Sequence, residues 1–334
     1  MSTLARPSQR SKIRRTLLTL AILSVAGSVL ACKVPVFRYA LERWNPDRFQ
    51  VLVLANGQLP PDKLAVLTPL TAKSDAFRRA EVKIIDVTQS KDPVARELWT
   101  KHKNGSDPVV VTLYPLTNSI PPHQAAHTAP LNEQTISGLL TSPARVEIVR
   151  ELSSGKSAVW VLVESGDAAK DEAARLALTT QLTKDAAWMQ LPTAEELEVD
   201  AKVLIETKIK LRIEFAVVSV RRDDPQEKFL VDCLLNSEED LREFNEPIAF
   251  PVFGRGRVLY AIVGKGIGPE TIRTASTFVA GPCSCQVKNQ NPGFDLLLDC
   301  DWDAAVGDVL ISQPIPGVDT KPALLTIPPG RASR

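Results

Sequence analysis

Apolar residues recur along this chain in two rhythms. Short, nearly unbroken runs of Val, Leu and Ile occupy Phe49–Ala55, Val82–Val87, Val109–Tyr114, Ala158–Glu164 and Leu211–Val220. Runs of that length and composition predict strands, and the nearly continuous apolar run Phe49–Ala55, ended by Asn56-Gly57, predicts a buried one. Between them, apolar positions return every three or four residues, which predicts helices over Asp62–Arg79, Asp92–Lys103, residues 132–152 with a break near Ser142-Pro143, and from Asp167 to about Met189. The boundaries carry local signals. Asp92 precedes Pro93 at one helix start, with Val94, Leu98 and Trp99 inward and Asn104-Gly105 as the stop, and Asp167 stands as N-cap before an alanine-rich stretch. After the charged stretch Thr193–Lys210 the order starts again. A strand at Leu211–Val220 precedes a mainly helical Gln226–Phe244, and strands Ile248–Phe253 and Arg257–Val263 flank a Gly254-Arg255-Gly256 turn. A helix over Pro269–Ala280 and closing strands at Val287 and Phe294–Asp299 complete the series. Ahead of all this, Phe37, Ala40, Leu41 and Trp44 share one face of a short amphipathic helix, expected to pack onto the first domain. Strands alternating with helices predict an α/β protein with parallel or mixed sheets covered on both sides.

The first 32 residues break the pattern. Arg6, Arg10, Lys12, Arg14 and Arg15 precede an apolar run of 16 residues, Thr16–Ala31, that ends at Cys32. A basic head, a short apolar middle and a small residue form an export signal, and the basic head places the chain beyond Cys32 outside the cytoplasm. Val29-Leu30-Ala31-Cys32 resembles the lipobox of bacterial lipoproteins, which implies cleavage before Cys32 and lipid attachment to it; Leu30 stands where that motif usually has a small residue. An uncleaved anchor is the alternative, although the run is at or below the roughly 17–25 residues of a membrane span. Either way the expected location is the cell envelope, membrane-anchored and facing away from the cytoplasm.

Composition changes with that leader. It holds five basic and no acidic residues, so the remaining 303 residues carry 35 Lys and Arg against 39 Asp and Glu, and the formal charge passes from +1 to −4. A mildly acidic body has no footprint for nucleic acid and no polybasic patch for anionic lipid; the expected partners are the membrane and an unknown protein. The length predicts two domains: a first over 32–192 and a smaller second over 193–312, followed by a Pro- and Gly-rich tail, 313–334, with residues 1–31 as signal or anchor.

Strand, helix, strand, helix, and then Pro108 just before a β-branched strand is an order similar to the thioredoxin fold, and the second unit echoes it with strand, helix, Pro251, hairpin and helix. The resemblance implies two thioredoxin-like three-layer domains with mixed sheets. The family's Cys-x-x-Cys motif is absent after Asn56 and after Val220, so its redox chemistry is not implied.

The remaining candidate chemistry is sparse. Cys233, Cys283, Cys285 and Cys300 in an oxidising compartment suggest either disulfides or buried thiols. If Pro292-Gly293 is a two-residue hairpin loop, Cys285 and Cys300 stand opposite each other, within disulfide reach. Cys283-Ser284-Cys285 is the candidate for thiol–disulfide exchange. A zinc site from those cysteines would need Cys233, far off in sequence, as a fourth ligand. His123 and His127 would share a helix face, but Pro121-Pro122 and Pro130 favour an extended loop instead. Gly155-Lys156-Ser157 lacks the glycine a phosphate loop requires five residues earlier, where Arg150 stands. Gly264-Lys265-Gly266-Ile267-Gly268 misses the dinucleotide spacing and meets Glu270 in the next helical turn, so a tight turn is expected. No cofactor is expected. The leading expectation is a non-catalytic envelope lipoprotein acting in binding or assembly. The alternatives are a thiol–disulfide oxidoreductase or thiol-based carrier built on Cys283 and Cys285, and a small-molecule binding protein using the cleft between the lobes.

Overall fold

The computed structural model describes residues 33–71, 80–103, 105, 107–117, 120–283 and 287–314. It is an α/β protein with two mixed sheets. In the first, β1 (Phe49–Ala55) lies between a parallel neighbour, β2 (Ala80–Asp86), and an antiparallel one, β3 (Val109–Leu113), while β4 (Ala125–Pro130) runs antiparallel along β3. The second repeats that order. There β5 (Lys156–Glu164) lies between parallel β6 (Arg212–Arg221) and antiparallel β7 (Ile248–Phe253). Strand β7 then pairs with the two short strands β8 (Arg257–Val258) and β9 (Ile262–Val263), and β10 (Phe294–Asp295) adds to β8.

The helices are α1 (Val36–Arg43), α2 (Pro61–Val66), α3 (Thr68–Thr71), α4 (Pro93–His102), α5 (Glu133–Leu140), α6 (Pro143–Ser153), α7 (Ala168–Trp188), α8 (Ala201–Glu206), α9 (Lys228–Leu235), α10 (Pro269–Ala280) and α11 (Trp302–Val306). Their starts follow local chemistry. The carboxylate of Asp92 accepts from the Val94 N–H at 2.9 Å, Asn132 from Thr135 at 2.8 Å, and Asp167 from Ala169 at 3.0 Å, each satisfying a first-turn donor that has no partner within its helix. Among the described residues no helix is long and apolar enough to cross a membrane.

Three apolar layers hold the molecule together. Leu52, Leu54, Val109 and Val111 on the outer face of the first sheet pack on Ala95 and Leu98 of α4. The outer face of the second sheet, with Ala158, Trp160 and Phe253, is covered by α1, α7 and α10. Between the sheets lies the largest core, joining Val51 and Val53 of β1, Val159 and Val161 of β5, and the buried sides of α5, α6 and α9. The two sheets therefore bury their inner faces in one shared interior.

Four sequence expectations are corrected. The run Ala158–Glu164 and the helix after it were expected with the first domain, 32–192; they are β5 and α7, and both belong to the second sheet. The sheets divide between Pro130 and Lys156, not at residue 193. A strand buried on both faces shows its burial in sequence but not its partner. Helix α1 packs against β5, β7 and α10 rather than the first sheet, because its aromatic face (Phe37, Tyr39, Trp44) fills the outer layer beside Trp160 and Phe253. The proline that introduces β7 is Pro247; Pro251 lies within the strand, opposite Trp160, and its carbonyl accepts from the Leu259 N–H at 2.9 Å. Finally, Phe294 pairs with Val258 of β8 and not across a Pro292-Gly293 hairpin. Buried Arg257 donates to the Asn291 and Pro292 carbonyls at 2.9 and 3.1 Å and holds that turn against β8.

Candidate functional site

The polar groups that converge do so at the seam between the sheets. Helix α9 reads Lys-Phe-Leu-Val-Asp-Cys-Leu-Leu, apolar but for Lys228 and Asp232 one turn apart. Its apolar residues sink into the shared core, which turns Lys228 and Asp232 toward β4 of the other sheet. Strand β4 answers with His127, only 3% exposed. His127 Nδ1 lies 2.7 Å from Asp232 Oδ2, Lys228 Nζ 2.8 Å from the same oxygen, and Arg242 Nη2 2.6 Å from Oδ1. A carboxylate only accepts, so His127 carries a proton on Nδ1. Burial by itself would raise the Asp232 carboxyl, but hydrogen bonds from His127, Lys228 and Arg242 outweigh it and hold the group down at about 2.

Further bonds cross the same seam. The Asn236 side-chain amide donates to the Ala126 carbonyl at 2.9 Å, Gln124 donates to the Asn236 carbonyl, and the Tyr114 hydroxyl to the Cys233 carbonyl. Burial pushes that hydroxyl well above its usual range, so it stays a donor. Phe229 stands edge-on to the His127 ring with centroids 5.4 Å apart.

Above this network opens a cleft of about 780 Å³. Val94, Leu98 and Lys101 of α4 form one wall, Pro121–Ala125 another, and Lys228, Leu235 and Arg242 the third. The lining is more polar than apolar, with Glu97, Lys101, Lys228, Glu238, Glu239 and Arg242 beside Val94, Leu98 and Leu235, which suits a polar, charge-bearing chain segment. Asp232 at its base is committed to three donors, so it serves as a structural anchor for Lys228 and Arg242 rather than as a free base.

The candidates named from sequence are dispersed. His123 sits in the turn before β4 with φ 62° and lines the cleft, whereas His127 lies on the strand; they share no helix face. Cys283 is 2% exposed, and its N–H donates to the Val34 carbonyl at 2.9 Å. Cys300 is half-buried beside the shared core. Cys32 and Cys285 lie outside the described residues, and with them the lipidation site, the Cys283/Cys285 pair and the Cys285–Cys300 bond. Cys233 is fully buried, and desolvation raises its thiol far above the ordinary range, the opposite of what a reactive cysteine needs. Gly155 has φ 100°, and a Cβ there would lie 2.1 Å from the Lys210 carbonyl oxygen, which accounts for the glycine by close packing. Gly264–Gly266 is a single tight 3-10 turn, and Gly268 is the N-cap of α10.

Sequence reasoning missed Asp232, Lys228, Arg242 and Asn236. One signal was present: a lone acidic residue inside the apolar run Phe229–Leu235 must either break the helix's burial or find donors. No protein-family model matches the chain, and a search of the curated proteins returns no match.

Proposed function

We propose that the chain is a membrane-anchored, non-catalytic envelope protein of two thioredoxin-like lobes that acts in binding or assembly, with the cleft over Asp232 as its receiving surface. The observation that carries this reading is the leader: five basic residues, an uncharged apolar run and Cys32, in that order. The repeated strand order, with Pro108 and Pro247 each entering a third, antiparallel strand, supports the lobe assignment. The cleft supports binding, because its walls come from both sheets and its charged rim is locked by the His127–Asp232–Lys228 network.

Mass spectrometry of the native protein from a membrane fraction tests it. Acyl mass on an N-terminal Cys32, or an intact leader in the pellet, is the expected result; native chains in the soluble cytoplasm would overturn it. Thiol titration before and after reduction, with Cys285→Ser as control, separates this reading from thiol–disulfide chemistry: an inert Cys283 is expected, and a reducible one reverses the assignment.

A further inference from the structure

We infer that the second lobe lies directly against the bilayer, through the end built from Lys33–Pro35, the turn at Glu198 and Gly281-Pro282, so that the first sheet and the cleft face away from the membrane. This rests on the anchored reading above but goes beyond it, since an anchor by itself sets no orientation. What sets it here is the missing tether. Only Lys33 separates Cys32 from the folded chain. Val34 is already 7% exposed, and its carbonyl accepts from the Cys283 N–H at 2.9 Å. Pro35 bridges to Pro282, the Val36 N–H donates to the Gly281 carbonyl at 2.9 Å, and Val36, Phe37 and Ala40 are packed in the outer core.

An extended chain spans at most about 3.6 Å per residue, so Val34 stands within roughly 7 Å of the Cys32 Cα. The same limit holds whether Cys32 carries lipid or the apolar run Thr16–Ala31 stays in the membrane, because both leave the bilayer at that residue. The Lys33 ammonium meets Glu198 at 3.4 Å, which adds the 193–200 turn to this end. That turn carries Glu195, Glu196, Glu198 and Asp200, so charge does not draw it to anionic lipid; the short attachment alone holds it there. Helix α1 and its partners cover one face of the second sheet, and the first sheet packs on the opposite face. The cleft is thereby carried on the side away from the anchor.

Amine labelling of the full-length protein in vesicles of phosphatidylethanolamine and phosphatidylglycerol tests this. The comparison is a variant with about 20 Gly/Ser residues inserted between Cys32 and Lys33, a spacer whose ends average roughly 25 Å apart. Lys33 is expected to react severalfold more slowly in the native chain than in the spacer variant. Lys91 in the first lobe and Lys228 at the cleft should react equally in both. Equal Lys33 rates, or shielding of Lys228 in the native chain, would overturn the orientation. Failure of both proteins to pellet with the vesicles would instead overturn the anchored reading on which it depends.

Discussion

Asp232 shows how a buried charge is kept in place. Its carboxyl titrates at about 2 in the folded protein and near 3.9 in an unfolded chain, so its contribution is complete above pH 4 and is lost as the pH falls from about 4 toward 2. That difference is worth about 2–3 kcal/mol. Asp232→Asn should therefore flatten the fall in urea midpoint between pH 5 and pH 2, and a variant that keeps the wild-type acid slope would show that another group carries it. Arg145 makes a different point. It is buried, and it donates to the Leu139 and Leu297 carbonyls at 3.2 and 2.9 Å, to Ser142 Oγ at 3.2 Å and to the Gly138 carbonyl, with its guanidinium 4.8 Å from the Phe229 ring centre. Burial lowers it to about 10, so it remains charged at neutral pH. An ammonium cannot span that fork, so Arg145→Lys should cost about 2–3 kcal/mol in chemical denaturation, and a near-neutral result would contradict the geometry.

At the scale of elements, helix starts were legible and strand partners were not. Asp92, Asn132, Asp167 and Pro269 mark the helix starts because a first-turn donor needs an acceptor nearby in sequence, or because Pro has no donor to lose. Strand β4 left no such mark: Ala125–Pro130 has little strand propensity and is made a strand by its pairing with β3 and by burial of Ala126 and His127. The Pro292-Gly293 turn signal was genuine, but its hairpin reading failed because the turn is pressed onto β8. Gly293 has φ 96°, and a Cβ there would lie 1.8 Å from the Val258 carbonyl oxygen. Gly57, at φ 115°, has nothing within 4 Å of its Cβ position. Gly293→Ala should therefore lower the melting temperature clearly more than Gly57→Ala, which meets only the backbone cost of roughly 1 kcal/mol. Equal effects would mean that β10 can move away freely.

At the scale of the whole molecule, the core between the sheets decides cooperativity. Valines of β1 and β5 belong to one apolar cluster, and α9, which comes after β6 in the chain, packs against β4 of the other sheet. The C-terminal segment adds a strap. Glu42 of α1 accepts from the Ile311 and Ser312 N–H groups at 3.0 and 2.7 Å, and Arg43 Nε donates to the Ser312 carbonyl at 2.9 Å. Hydrogen exchange in rising urea should consequently open β1 and β5 amides together, in one transition. Two separated transitions would show that each sheet holds its own fold without the shared interior.

By itself the sequence determined the α/β alternation, most strands and most helix starts to within a residue or two, because propensity, capping and burial act over a few neighbouring residues; the helix expected over Gln226–Phe244 stops at Leu235. Tertiary structure alone decided that β5 pairs with β6 and β7, that α1 covers the second sheet, and that His127 meets Asp232 across 105 positions. Those outcomes depend on which apolar face finds which, and on donors reaching a buried carboxylate from distant parts of the chain. A linear pattern records that a side chain must be buried or bonded; only the folded packing selects its partner.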